Sequence, residues 1–170
     1  PLLQSSAASD VYKRQIDSSL RDLIKKNHSA THLLHAALRN NLGLHVAQRG
    51  SLVNENKLRF DFSHNKQISS KQIDTIQKEV TNIISNTCET QIDIKSQEEA
   101  IKQGAMALFG EKYGEEVRVV TLGENNNKPY SIELCGGTHV TNVKDIEKFH
   151  IISEESVSSG VRRIEACTGK

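Results

Sequence analysis

The stretch His45–Ile84 reads HVAQRGSLVNENKLRFDFSHNKQISSKQIDTIQKEVTNII, and it decides the fold class. Its first part alternates. Leu58, Phe60 and Phe62 take every second position, with Arg59 and Asp61 between them, the pattern of a strand buried on one face. A preceding strand over about His45–Val53 and this one over Lys57–Ser63 flank the turn residues Asn54-Glu55-Asn56, so the pair reads as a hairpin. The period then changes. Ser69-x-x-Gln72 is a capping box, and Ile73, Ile76, Val80, Ile83 and Ile84 follow at helical spacing to about Asn86. A hairpin followed at once by an amphipathic helix is a unit of the α+β class.

Working outward, the residues before this unit are helical. Leu20, Leu23 and Ile24 mark one apolar side over Ile16–Lys26. Asn27 can cap a new or continuing helix that carries Leu33, Leu34, Ala37 and Leu38, with Asn40, Asn41 and Gly43 ending it. Beyond the unit, a strand is expected over Glu89–Lys95 and a short helix from the box Ser96-x-x-Glu99 to near Gly104. Strands over Val117–Leu122 and Tyr130–Leu134 are joined by a polar loop, Gly123–Pro129. Two more follow, over Lys148–Ser153 and Val161–Cys167. Adjacent strand pairs broken by helices predict an α+β fold with a largely antiparallel sheet packed against helices. Pro1–Gln15 lacks periodicity and lacks the charged start and apolar centre of a secretory signal. It reads as a non-native or frayed leader, leaving one domain over residues 16–170.

The 170 residues carry 22 Lys+Arg against 21 Asp+Glu, a net charge of +1. Bulk charge therefore gives no reason to expect nucleic acid, and any RNA contact must come from a local patch. No apolar run is long enough for a transmembrane helix. Cys88, Cys135 and Cys167 make an odd count without framework spacing, which favours a reduced, cytoplasmic protein with thiols left for metal or chemistry.

Two short clusters carry that chemistry. In His28-Ser29-Ala30-Thr31-His32 the histidines stand one helical turn apart, so both imidazoles can reach one ion. In Cys135-Gly136-Gly137-Thr138-His139 the glycines let a strand end fold tightly, so a thiolate and an imidazole can converge. Three nitrogens and one sulfur form a donor set that suits tetrahedral Zn²⁺. The clusters lie more than a hundred residues apart, so the fold itself must join them, with the site between a helix and a glycine-rich strand-end turn. Taken singly, each cluster also reads as packing, and His35 and His45 are expected to be half-buried packing residues. Ser29 stands where a zincin needs its glutamate, and the deaminase, P-loop and dinucleotide motifs do not occur.

With these residues in view, the chain resembles the editing domain of alanyl-tRNA synthetases. The resemblance rests on NHSATHLLH (27–35), QRGSLV (48–53), LRFDFSH (58–64), GAMALFGEKY (104–113), ELCGGTH (133–139) and SGVRRIEA (159–166), in the family's order. It covers about Ile16–Gly169, with Asn125–Lys128 as a small loop insertion. It implies zinc-dependent hydrolysis of mischarged Ser-tRNA(Ala) and Gly-tRNA(Ala), with His28, His32, Cys135 and His139 as metal ligands. A pocket built for a methyl group cannot exclude glycine, and one extra hydroxyl costs serine only about a hundredfold, so a second, destructive site is needed. Thr31 either contacts the substrate or bonds its own helix backbone. Gln48 resembles a position at the editing pocket, able to orient water or substrate. Arg49, Arg162 and Arg163, with Lys57, are candidate contacts to tRNA, although strand alternation lets at most one of the paired arginines face it. Two alternatives stay open: a structural zinc module that binds tRNA without hydrolysing it, and a free-standing editing protein rather than a fragment of an alanine–tRNA ligase. The unusual start and the end soon after RRIEA favour the fragment, whose missing parts would carry the ATP-dependent ligase site.

Overall fold

A long helix, α1 (Ser18–Leu42), runs through the centre of the fold. The structure, a computed structural model, describes residues 16–106 and 114–169. The leader Pro1–Gln15 and positions 107–113 of the GAMALFGEKY block therefore lie outside the described residues. Asp17 caps α1, its carboxylate accepting from the amides of Ser19 and Leu20 at 2.9 and 3.1 Å. Gly43 ends it at φ +115°, a backbone angle that suits glycine. Asn27 starts no new helix. It is buried mid-helix, where its side-chain amide donates to the Asn54 carbonyl and its oxygen accepts from Thr168.

Burial divides α1 in two. Leu20 and Leu23 stay 47% and 40% exposed, so the apolar side expected there is only partly covered by the described residues, at Ile24. From Asn27 through Leu38 almost every residue is buried. A helix half that is buried all round needs neighbours on all sides. It finds them in two sheets and a second helix, α2 (Ser70–Ser85). The first sheet has the order β1 (Gln48–Val53), β2 (Leu58–Ser63), β7 (Val161–Thr168), β6 (Phe149–Ser158). The second has β3 (Gln91–Ser96), β4 (Glu116–Asn125), β5 (Lys128–Leu134), with the short helix α3 (Gln97–Lys102) following β3. Every strand pair is antiparallel, and the α+β class read from the sequence holds, with two sheets in place of one.

Local chemistry explains the joints. The capping boxes at Ser69/Gln72 and Ser96/Glu99 are both formed. The expected polar loop Gly123–Pro129 is shorter than that reading: Asn125 pairs with Lys128, and only Asn126 and Asn127 turn, at φ +53° and +57°. Two successive left-handed residues make the tight hairpin turn that asparagine favours. Pro129 is tolerated because β5 is an edge strand. Leu58, Phe60, Ile164 and Ala166 from the first sheet meet Leu33, Leu34, Ile76 and Leu122 in the main core. Glu79 on α2 accepts from Asn40 and Asn41 of α1 and from Tyr130 of β5 at 2.8, 2.6 and 2.7 Å, tying both helices to the second sheet. Among the described residues no helix is long and apolar enough to cross a membrane.

Candidate metal centre

β5 ends at Leu134, and Cys135–His139 turns back across the middle of α1. Arg118 on β4 holds this corner, its guanidinium donating to the carbonyls of Cys135 and Gly137, each at 2.7 Å. The Cys135 amide donates in return to the Arg118 carbonyl at 3.1 Å. Ser29, standing where a zincin has glutamate, instead accepts from the Val140 amide at 3.1 Å and ties the helix to the corner. Gly137 has no room for a side chain: a Cβ there would sit 2.2 Å from His28 Cε1. Gly136 faces open space, so only the second glycine is needed for close approach.

This packing brings together the four residues singled out from the two clusters. The nearest donor atoms of His28, His32, Cys135 and His139 all lie within 4.8 Å of one another. His28 Nε2 is 3.5 Å from Cys135 Sγ, and His32 Nε2 is 3.1 Å from His139 Nε2. His28 and Cys135 are 107 positions apart in the chain, so the convergence is a product of the tertiary fold.

The outer ring nitrogens are tied down. His28 Nδ1 donates to the Thr138 carbonyl at 3.1 Å, and His32 Nδ1 donates to the Glu133 carboxylate at 2.6 Å. Both Nε2 atoms are thereby left as the ring nitrogens that face inward. The outer nitrogen of His139, Nδ1, is buried without a protein partner among the described residues. Four basic donors thus face one another with no acid among them. Around a tetrahedral zinc, neighbouring donors stand roughly 3.3–3.6 Å apart. The pairs at 3.1 and 3.5 Å lie near that range, and the wider ones, up to 4.8 Å, would draw in to share one ion.

The electrostatics agree. Burial opposes ionisation of Cys135, but hydrogen bonds from His139, His28 and His32 outweigh it and bring the thiol down to about 3. Burial alone would lower His32, yet the charge of Glu133 raises it above the ordinary imidazole value. Burial would raise the Glu133 carboxyl, and the charge of His32 with the two histidine hydrogen bonds pulls it below its usual range. His139 is lowered, chiefly by burial.

The other residues named from the sequence sit elsewhere or are engaged. Thr31 is buried, and its hydroxyl donates to the Asn27 carbonyl at 2.9 Å. Gln48 opens β1, half-buried opposite Phe62, and Arg49 follows it on the exposed side. Arg162 pairs with Glu154, Arg163 grips Asp61 through two bonds of 2.7 and 2.9 Å, and Lys57 meets Glu165 at 2.7 Å. His45 is not half-buried packing; it is exposed and stacks on His64. His35 does more than pack, since its Nδ1 donates to Glu133 at 3.0 Å. Glu133 and Arg118 were not nominated by sequence reasoning. The available signal was period two: Glu133 lies two positions before Cys135, on the same face of the strand. A cleft of about 360 Å³ opens beside His139, with Lys25, Lys26 and Thr141 on its walls.

The family model for the threonyl and alanyl tRNA synthetase second additional domain matches residues 117–165. The chain is 53% identical over 164 residues to an alanine–tRNA ligase of Parvibaculum lavamentivorans, and 52% identical over 161 residues to one of Sphingopyxis alaskensis. Each alignment covers 95% of this chain and 18% of the relative, so the chain spans under a fifth of the length of the curated relatives it matches. The chain thus corresponds to a region of the alanine–tRNA ligases, and residues 117–165 of it match the threonyl and alanyl tRNA synthetase second additional domain.

Proposed function

We propose that this chain is a zinc-dependent editing domain that hydrolyses Ser-tRNA(Ala) and Gly-tRNA(Ala), working in the cytoplasm as part of an alanine–tRNA ligase. The observation that carries the reading is the convergence of His28, His32, Cys135 and His139 within 4.8 Å, in a chain related to proteins that charge tRNA with alanine. Those four residues would hold the ion. When bound, zinc supplies Lewis-acid polarisation of an ester carbonyl or a water of lowered pKa.

The remaining work falls to the protein. The cleft beside His139 is the approach for the acceptor end, with Lys25 and Lys26 on its wall. Lys25 pairs with Asp22 and Lys26 with Glu147, so an arriving phosphate must compete with those acids. Thr31 has its proton committed to Asn27, so it meets a serine hydroxyl only as an acceptor. That contact favours serine over alanine, which lacks the donor; glycine lacks it too, so hydrolysis of Gly-tRNA(Ala) does not draw on it. Gln48 is proposed to orient substrate or water. Arg49 and one of Arg162 and Arg163 are proposed tRNA contacts; both of that pair already meet acids, and Arg163, held by two bonds to Asp61, is the less available.

A structural reading has one observation in its favour: the converging donors number four, as many as a tetrahedral shell would take. Replacing Cys135 with Ala and following serine release from Ser-tRNA(Ala) separates the two. The editing reading expects a folded variant whose deacylation falls by about a hundredfold or more, beyond what loss of an outer-sphere partner costs. A folded variant that deacylates at the parental rate leaves only the structural module.

A further inference from the structure

We infer that Glu133 and His35 form a buried positioning device for the metal centre, in which one carboxylate sets the ring orientation and tautomer of His32. The inference rests on the metal reading above and assigns two residues outside the ligand set. Glu133 is 1% exposed and has both carboxylate oxygens engaged, one by His32 Nδ1 at 2.6 Å and the other by His35 Nδ1 at 3.0 Å. A carboxylate only accepts, so each ring must present its Nδ1–H. For His32 that leaves Nε2 as the ring nitrogen that faces the other donors, 3.1 Å from His139 Nε2, and the one a metal takes. A metal-binding histidine is commonly tied this way, and losing the tie typically weakens metal binding 10–100-fold.

His35 completes the device. It stands three positions beyond His32 on α1, so both rings reach the same strand residue from one helix face. Its own Nε2 is buried without a protein partner among the described residues, and its ring lies 5.0 Å from that of Phe60. His35 therefore meets Glu133 through Nδ1, its ring held in place by Phe60. Without that second bond the carboxylate could turn about its last torsion and release His32. Glu133 therefore acts through His32, and His35 acts through Glu133. Neither needs to touch substrate.

The test compares the full chain with Glu133→Gln, His35→Leu and His35→Asn, the last because its amide can place a donor near the Nδ1 position. Zn²⁺ affinity is measured by competition with a chromophoric chelator, and ring tautomers are read by ¹⁵N NMR of the zinc-loaded proteins. The inference expects Glu133→Gln to bind Zn²⁺ about 10–100-fold more weakly and to lose the Nδ1–H signature of His32. It expects His35→Leu to weaken binding in the same direction and His35→Asn to restore it. Equal affinity in Glu133→Gln and the parent overturns the inference while leaving the metal centre intact. If Glu133→Gln fails to fold, the histidine pair decides: a weaker His35→Leu rescued by Asn supports it, and equal affinities overturn it. A parent chain that takes up no Zn²⁺ overturns the metal reading itself, and this inference with it.

Discussion

The outer face of the first sheet and the junction of α1 with the Cys135–His139 corner both gather ionisable side chains from distant parts of the chain. They treat them differently. On the sheet, register sets Asp61 opposite Arg163 and Arg59 opposite Glu165. Arg163 adds Glu155 at 3.8 Å, Arg59 approaches Asp61 at 3.6 Å, and Lys57 meets Glu165. Each of these cations lies beside an acid, and the ladder neutralises itself. At the junction, three imidazoles and a thiol face one another, and the nearest acid, Glu133, lies behind His32 rather than among the donors. Charge that cancels within the fold needs no ligand. Four donor atoms turned toward one point offer a cation a ready shell, and that separates a candidate site from a polar surface.

Three substitutions or conditions can break or sharpen this contrast. The largest effect is expected at Gly137. Its Ala variant would push a methyl to 2.2 Å from the His28 ring, so Zn²⁺ affinity should collapse and stability fall by about 1–3 kcal/mol. Gly136→Ala, with nothing within 4 Å, should stay within about 0.5 kcal/mol and keep its metal. Thermal melts with and without chelator distinguish them, and equal behaviour would mean the corner is not packed as described.

Next comes pH. Glu133 raises His32, so the metal-free protein carries a proton there at neutrality that metal must displace. The sign follows: protons compete better as pH falls, and Zn²⁺ affinity should drop about tenfold per unit below neutrality. In the metal-free protein, the stability supplied by His32 is present at low pH and lost as pH rises through its raised value. The share from Glu133 is lost as pH falls through its lowered value. Chelator competition at several pH values checks the first statement, and a flat profile would contradict it. The smallest effect is expected on the ladder. Arg163→Ala should change Ser-tRNA deacylation less than about twofold, because its guanidinium is already held by Asp61. A large loss would show that Arg163 serves RNA despite its in-sheet partner.

Much of this was legible in the chain. Alternation at Leu58–Phe62, the serine boxes at Ser69 and Ser96, and the donor types in HSATH and CGGTH all act through local rules that survive folding. What escaped depends on distant partners. β7 inserts between β2 and β6, so two sheets arise where strand order read along the chain suggests one. Leu20 and Leu23 have helical spacing, but periodicity does not say whether a neighbour extends far enough to cover them. A lone glutamate before a cysteine carries no local mark of the two histidines it will meet. The Asn126–Asn127 turn was the one local feature open to closer reading, since paired asparagines tolerate the left-handed angles it needs.

Metal content of the purified chain tests the central claim most directly. One zinc per molecule, retained through dialysis and lost in the Cys135→Ala variant, is the expected result. A folded parent chain that holds no zinc and releases serine from Ser-tRNA(Ala) equally fast with a strong chelator present would contradict it.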